Sequence, residues 1–573
     1  MIIRDQQPVT IAEKFTNPPF LPLIVLHLEI TRSTYHKKLM HFIKRTYLVV
    51  ATTFLLVSFV ITFCIGCNNV PRNNSHPGIS NSDIRKGQAL AKVYCQSCHL
   101  LPDPSMLDSK SWEKGVLPAM GPRLGIFSWN GKSYPFARYD MSLGEDFYPK
   151  QPVLKPGEWQ SIVNYFIATA PDTLHHTNPG QQAIKTGLSL FTVESPANAT
   201  SNPATSLVKI IGQTSPEVVI SDATKQALYR FDGNLKLVDS IKNRGPIVDV
   251  DISGSRWLTC DIGILNPNNG KYGSGRNISL LPDNKLKQDS TVLFDGLQRP
   301  VQITAADLNK DGKEDYLVCE FGFQTGALSW MENRGSGKYE RHILRPLPGA
   351  VKAYINDYNH DGLPDLWVLF SQGEEGVFLY TNKGQGRFDE KKVLAFPAVH
   401  GSSYFEMVDY NKDGSLDIVY TCGDNADYST ILKPYHGVYI FVNDGKNSFK
   451  QTFFFHINGC FKAIARDYDN DNDLDIAAIS FFADYSTKPE EGFVYLENTG
   501  DNTFSPFTLA ETQQGRWLTM DAGDIDGDGK TDLVLGNFSI GPAMTKSKHD
   551  WRKAPPFLIL KNTGKRKPGA RPQ

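Results

Sequence analysis

Residues 307–318 read DLNKDGKEDYLV, and the line returns as DYNHDGLPDLWV at 357–368, DYNKDGSLDIVY at 409–420, DYDNDNDLDIAA at 467–478 and DIDGDGKTDLVL at 524–535. The leading aspartates are spaced by 50, 52, 58 and 57 residues. A period of that size denotes copies of one small unit in a solenoid, propeller or array. Each line has the form D-x-[DN]-x-D-[GN]-x-x-D followed by alternating apolar residues. Alternating carboxylates and amides on a tight loop turn several hard oxygens inward, as Ca²⁺ requires, and Gly after the third of them allows the sharp turn. An EF-hand is excluded, because its terminal Glu is missing and strands, not helices, flank the loop. The expected ligands are Asp307, Asn309, Asp311 and Asp315; Asp357, Asn359, Asp361 and Asp365; Asp409, Asn411, Asp413 and Asp417; Asp467, Asp469, Asp471 and Asp475; and Asp524, Asp526, Asp528 and Asp532. That makes up to five Ca²⁺, the fourth site weaker because Asn472 replaces Gly. The competing reading is an Asx turn between strands that binds nothing.

The surroundings of the loops repeat as well. An apolar strand precedes each (VQITAAD at 301–307), a second follows, a third ends in an Asn-Gly-like turn (VFLYTNKGQG, GVYIFVNDGKN, GFVYLENTGDN), and a fourth comes next. Four short strands per repeat make a propeller blade. Upstream, TSLVKIIG to LKLVDSI and GPIVDVDI to STVLFDG supply two more blades without an intact acidic loop, for a total of seven. The last blade stops after FLILKNTG, one strand short, and GLSLFTVE at 187–194 is expected to complete it, since an open edge invites aggregation. Over residues 301–563 the chain resembles FG-GAP/VCBS-type propellers, including the integrin α-subunit head. The resemblance implies a calcium-stabilised ring.

Loops joining second and third strands open on the face opposite the acidic loops. Four are long, at 263–277, 423–437, 482–492 and 539–556. Long loops on a rigid scaffold are usually functional, so Tyr428, Tyr435, His436, Tyr485, His549, Asp550 and Trp551 are candidate binding residues, with self-packing of the loops as the alternative. Cys422 with Cys460, and Cys260 with Cys319, fall on neighbouring blades, where either a disulfide or buried thiols would fit.

The N-terminal part carries different chemistry. Lys44 and Arg45, an uncharged run from Tyr47 to Phe63, and Gly66-Cys67 before a polar stretch follow the layout of a secretory signal peptide. Gly-Cys resembles a bacterial lipobox, which implies lipidation of Cys67. An uncleaved anchor or simple secretion are the alternatives, and all three export the rest. Residues 1–39 read as an over-called start, 40–66 as the signal and 67–81 as a linker.

Cys95-Gln96-Ser97-Cys98-His99 is CxxCH. Two thiols one helical turn apart reach the two vinyl groups of a haem, and the adjacent His supplies a proximal nitrogen. Over 82–175 the chain resembles class I c-type cytochromes, which implies one covalent haem c. Helix patterns precede the motif, with Leu90, Val93 and Tyr94 on one side, and recur at 156–170. Met106 is too close to His99 to cross to the opposite haem face. Met120, in a Pro-x-Met-Gly setting, is the favoured distal ligand, with Met141 or an open position as alternatives. A linker at 176–186, the propeller at 187–564 and a basic tail at 565–573 complete the plan: a mainly β chain, a seven-bladed propeller preceded by a small all-α cytochrome c-like domain.

Composition bounds the function. The 573 residues carry 60 Lys+Arg against 61 Asp+Glu, and without residues 1–66 the balance is −5, so no basic surplus exists to hold nucleic acid. Aromatics at 11 % and charged residues at 21 % exclude a disordered chain. The expected function is electron transfer by an exported, lipid-anchored haem protein of the cell envelope, to or from a redox partner or a small-molecule or glycan substrate on the propeller. The alternatives are a surface binding module with auxiliary haem, or a dehydrogenase using the haem as acceptor. The chain also resembles FG-GAP proteins with a fused cytochrome c domain from environmental bacteria. No catalytic residue can be chosen among so many repeated aspartates.

Overall fold

Every second strand of the repeat is buried along its whole length in blades three to seven: Asp315–Glu320, Asp365–Phe370, Asp417–Cys422, Asp475–Ser480 and Asp532–Asn537. A strand buried on both faces needs a sheet on either side, and stacked blades provide them. The computed structural model describes Met40 and residues 70–564, except 137–139, 175–179, 198–200, 213–214, 426–428, 501 and 543–545. The chain divides into two units, Met1–Val70 and Pro71–Gln573. The signal segment and Cys67 lie outside the described residues, and so does the basic tail. No helix among the described residues is long and apolar enough to cross a membrane.

Seven sheets of antiparallel strands form the second unit's larger part. Their innermost strands are Thr205–Ile211, Ile247–Ser253, Pro300–Ala306, Ala350–Asn356, Ser402–Val408, Cys460–Arg466 and Trp517–Gly523. Each touches the next, and Trp517–Gly523 returns to Thr205–Ile211, so the ring closes at seven blades. The register of every innermost strand slips by one residue near its start, a bulge that adds local twist.

Closure uses the predicted segment. Phe191–Glu194 pairs antiparallel with Phe557–Asn562 as the fourth strand of blade seven. Lys185–Thr186, expected as linker, instead adds a short parallel strand to the edge of blade six through Phe507 and Thr508.

The helical part holds two long helices, Asn81–Tyr94 and Pro156–Thr169. Ser80 caps the first by accepting the Asp83 N–H. Its buried face is Ile84, Gly87 and Ala91, while Val93, expected on the packed side, is 64 % exposed. The helices cross at Gly87, where a Cβ would lie 1.8 Å from the Ser161 carbonyl oxygen. The stretch expected as a 67–81 linker is tied down from Asn73 onward: the Asn73 side chain donates to the carbonyls of Ile167 (2.6 Å) and Ala170 (2.7 Å), satisfying the second helix's open C-terminal end.

The helical part meets the propeller on the face opposite the acidic loops. The Asn269 amide, in blade two, donates to Asp140 (3.0 Å), and the Gln324 amide, in blade three, donates to the Tyr148 hydroxyl (2.9 Å). Asn269 and Gln324 also bond each other in both directions.

Candidate functional site

Each acidic loop is wound around its first aspartate. In the first loop Asp307 accepts the N–H groups of Asp311 (3.1 Å) and Gly312 (3.0 Å), and Asn309 accepts Asp311 N–H as well (3.0 Å). The pattern repeats at Asp357, Asp409, Asp467 and Asp524. Gly312, Gly362 and Gly414 take positive φ after the third expected ligand, and Asn472 takes φ 69° in the fourth loop. Asn tolerates this region, so the fourth loop keeps the turn. The Asx turn thus forms in these loops, and in two of them it also gathers acids: carboxylate oxygens of Asp467, Asp469 and Asp471, and of Asp524, Asp526 and Asp532, lie within 4.8 Å of one another. In the other three loops Asn309, Asn359 and Asn411 take the middle place.

The ninth-position aspartates sit deeper than ligands in a surface loop. Asp315, Asp365, Asp417, Asp475 and Asp532 are fully buried. They accept the backbone N–H of Asn333, Asn382, Asn443, Asn498 and Asn562 at 2.7–2.8 Å. These asparagines end the third strands, and their role beyond turn formation escaped the sequence reading. Three reach the preceding blade: the Asn382 amide donates to Leu308 O (2.9 Å), that of Asn562 to Tyr468 O (2.6 Å) and that of Asn498 to the Tyr410 hydroxyl (3.2 Å). The acidic loop is thus a staple between blades. Asn562→Ala, which orphans a buried carbonyl, is expected to cost about 2–3 kcal/mol, measured by urea unfolding.

The loops' electrostatics fit a divalent cation. Burial pushes Asp475 up to about 8 and Asp532 up to about 6. Burial, with Asp471 beside it, pushes Asp473 up to about 7. Burial and crowding hold protons on these carboxyls, while Lys313 pairs with Asp311 (2.7 Å) in the first loop and Lys530 with Asp528 in the fifth. A calcium ion answers both the charge and the hard-oxygen donor set.

On the opposite face, most of the expected binding residues pack the loops themselves. Trp551 and Tyr485 are buried edge to face at 4.7 Å, with the Arg516 guanidinium 5.4 Å from the Trp551 ring. The Tyr435 ring stacks on His400 at 5.3 Å and its hydroxyl donates to Val399 O (3.1 Å). His436 is fully buried. His549 and Asp550 are exposed, and Asp550 pairs with Arg552 (2.8 Å). Tyr428 lies outside the described residues. A long loop with no strand beneath it needs a core of its own, and its aromatics supply it.

Between blades four and five, Glu375 is buried and accepts the Ser402 N–H (2.9 Å) and hydroxyl (2.6 Å). Burial pushes its carboxyl up to about 7. A raised folded-state value stabilises most below the unfolded carboxyl's pKa, and that stability drains away as pH rises through about 7. Glu375→Gln is therefore expected to unfold about 2–3 kcal/mol later than the parent near pH 9, with little difference near pH 4, read from denaturant melts at both pH values.

Cys260, Cys319, Cys422 and Cys460 are all free thiols in buried positions. Of the two readings, buried thiols hold at all four positions. Cys422 Sγ instead donates to Tyr435 O at 3.1 Å.

Cys95 ends the first long helix, its N–H bonded to Ala91 O (2.9 Å). Burial pushes its thiol up to about 11, while Cys98 is exposed. The His99 Nδ1 sits 3.0 Å from Leu100 O, which orients the ring and leaves Nε2 as the free nitrogen. Met120 is half-buried at the end of the short helix Leu117–Met120, and Met106 is half-buried in the turn Pro104–Met106. Met141, the alternative ligand, is 97 % exposed. Val93 and Leu100 flank the thiols with 64 % and 43 % exposure. Apolar side chains standing in solvent beside two thiols and an oriented imidazole fit the edge of a covalently held macrocycle.

Residues 307–368, 357–420 and 467–535 match the FG-GAP-like repeat family. Cartilage acidic protein 1 of Mus musculus and that of Homo sapiens are each 26 % identical over 175 residues, 30 % of this chain. The matched region spans only 26 % of those relatives' length. Among solved structures, the WD40 β-propeller domain of Doa1 aligns with TM-score 0.39 at 10 % identity, over 65 % of this chain and 96 % of that one. BBS1N in complex with ARL6DN aligns with TM-score 0.40 at 7 % identity, over 68 % and 99 %. Repeat match and ring closure together make the larger part of this chain a seven-bladed β-propeller carrying FG-GAP-like repeats.

Proposed function

We propose that this chain is an exported, membrane-anchored c-type haem protein that passes electrons to or from a partner or substrate docked on its calcium-stabilised propeller. The observation that carries the reading is the CxxCH at the end of a helix locked against a second helix at Gly87, with His99 Nε2 free and apolar Val93 and Leu100 uncovered beside it. Cys95 and Cys98 would hold the haem through thioethers, His99 would be the proximal ligand and Met120 the distal one. When bound, the haem supplies one-electron chemistry. The chain's own residues hold and orient it: Leu100 O sets the imidazole's tautomer, and the helix crossing keeps the thiols in place. The hydrogen-bonded contact of Asp140 and Tyr148 with Asn269 and Gln324 keeps the site at one position relative to blades two and three. Cys67 would carry the lipid that keeps the protein in the cell envelope.

Expression with a c-type maturation system tests the reading. The expected product carries one covalent haem by the pyridine haemochrome assay, lost in Cys95→Ser with Cys98→Ser. Met120→Ala is expected to lose the sulfur-to-iron absorption band and to lower the reduction potential. A purified chain with no covalent haem under maturing conditions would sink the proposal and favour a binding module. Lipid labelling abolished by Cys67→Ala checks the anchor.

A further inference from the structure

The innermost strands carry a feature that neither the acidic loops nor the CxxCH explains. Lys352, Tyr404 and Lys462 occupy one equivalent position in blades four, five and six, the first after the register slip, opposite Leu369, Thr421 and Ile479. Their neighbours Ala353, Phe405 and Ala463 are buried between blades, while they themselves are half-buried. On an innermost strand that alternation turns them toward the ring axis. Lys462 Nζ lies 4.7 Å from the Tyr404 ring centroid, and Lys352 Nζ lies 5.2 Å from that of Tyr354. The two tyrosine hydroxyls are 3.3 Å apart. Lys209, half-buried on the innermost strand of blade one, adds a third ammonium to the same field.

Three acids face the same region: Asp249, which takes the equivalent position in blade two, Glu406 and Asp521. Glu406 accepts the Ala465 N–H (2.8 Å) and pairs with Arg466 (2.7 Å), and Asp521 accepts the Ile210 N–H (2.9 Å). Among the described residues neither Lys209, Lys352 nor Lys462 makes an ion pair. Glu406 is paired with Arg466, so three ammonium groups stand against the carboxylates of Asp521 and Asp249, and the small positive excess is what an anion would offset.

We propose that the propeller axis holds an oxyanion-binding site built from Lys352, Lys462 and Tyr404, with Lys209 completing its positive field, for a ligand carrying a carboxylate or phosphate group. The two ammonium groups donate charge-assisted hydrogen bonds to the ligand's oxygens, and the Tyr404 ring positions Lys462. The site is independent of the haem reading. Burial pushes Lys462 down to about 8, with Lys352 and Lys209 acting in the same direction and Asp521 and Glu406 opposing them. Binding should therefore hold below that pH and weaken as pH rises through it.

Titration calorimetry on the full chain tests this with three probes: inorganic phosphate, glucuronate and polygalacturonate. Binding of the two small probes identifies a free oxyanion as sufficient, whereas binding of the polymer alone identifies an acidic chain as the source. Lys352→Met with Lys462→Met is expected to weaken binding about tenfold or more. Lys462→Arg is expected to bind at about pH 9.5 as well as at about pH 6.5, where the parent's affinity falls, because Arg does not titrate there. The proposal is overturned if the parent binds none of the three probes, or if the double variant, folded by its unfolding transition, binds as tightly as the parent. Parent binding that is equally tight at about pH 6.5 and about pH 9.5 would likewise overturn it.

Discussion

A chain lacking residues 187–194 is expected to lose the propeller's cooperative thermal transition, not simply to shift it. Phe191–Glu194 supplies the ladder that covers Phe557–Asn562, with Phe191 opposite Asn562 and Val193 opposite Leu560. Leu190 and Phe191 are buried in one core with Tyr468, Tyr495, Trp517 and Leu560, which joins blades six and seven. The Phe191 ring meets Tyr495 at 5.8 Å and Tyr468 at 6.0 Å. Losing two large buried side chains costs about 5–8 kcal/mol, which is comparable to the whole stability of a typical domain. It also uncovers an apolar edge. Calorimetry and light scattering read the result as a lost endotherm and aggregation; an unchanged melting temperature would show that the ring closes without its terminal strand. The point variant Phe191→Ala isolates the packing part, about 3–5 kcal/mol.

Gly87→Val is expected to separate the two long helices and leave the propeller intact. A Cβ at Gly87 would lie 1.8 Å from the Ser161 oxygen, 2.6 Å from its carbonyl carbon and 2.8 Å from the Tyr165 Cβ. Backbone cannot move aside there without losing the contact of Ile84 and Ala91 with the second helix. The helical part should then lose most of its far-ultraviolet helical signal and become protease-sensitive, while the propeller's unfolding transition stays. Gly157 in the second helix has nothing within 4 Å of its Cβ, so Gly157→Ala is the control and should change stability by less than about 1 kcal/mol. Equal behaviour of the two variants would show that the helices are not packed at Gly87.

The blade pattern was legible because it is local. Alternating apolar residues, a DxDxDG turn and an Asn-Gly turn recur within about 50 residues each, and every copy reports on the same fold. Even the missing fourth strand of blade seven could be inferred, since a ring one strand short must be closed by something. The loops on the other face were less readable. Tyr485 and Trp551 are aromatic residues in long loops whether they bind a ligand or bury each other, and only their 4.7 Å contact distinguishes the two. The same holds for Cys422, which neighbours Cys460 on the next blade yet donates to Tyr435 O.

By itself the sequence determined the repeating unit, the number of blades, the acidic loops and the CxxCH at a helix end, because each is set by residues close together in the chain. The tertiary structure decided that the ninth aspartates answer asparagine N–H groups and that Asn382 and Asn562 staple one blade to the one before it. It also decided that Asp140 and Tyr148 meet blades two and three, and that lysines of separate blades share the axis. The hydrogen-bonded partners among these lie from 17 to 176 residues apart, and no local pattern encodes them. They are chosen when the ring closes, since closure leaves each buried polar group only the partners that the neighbouring blade presents.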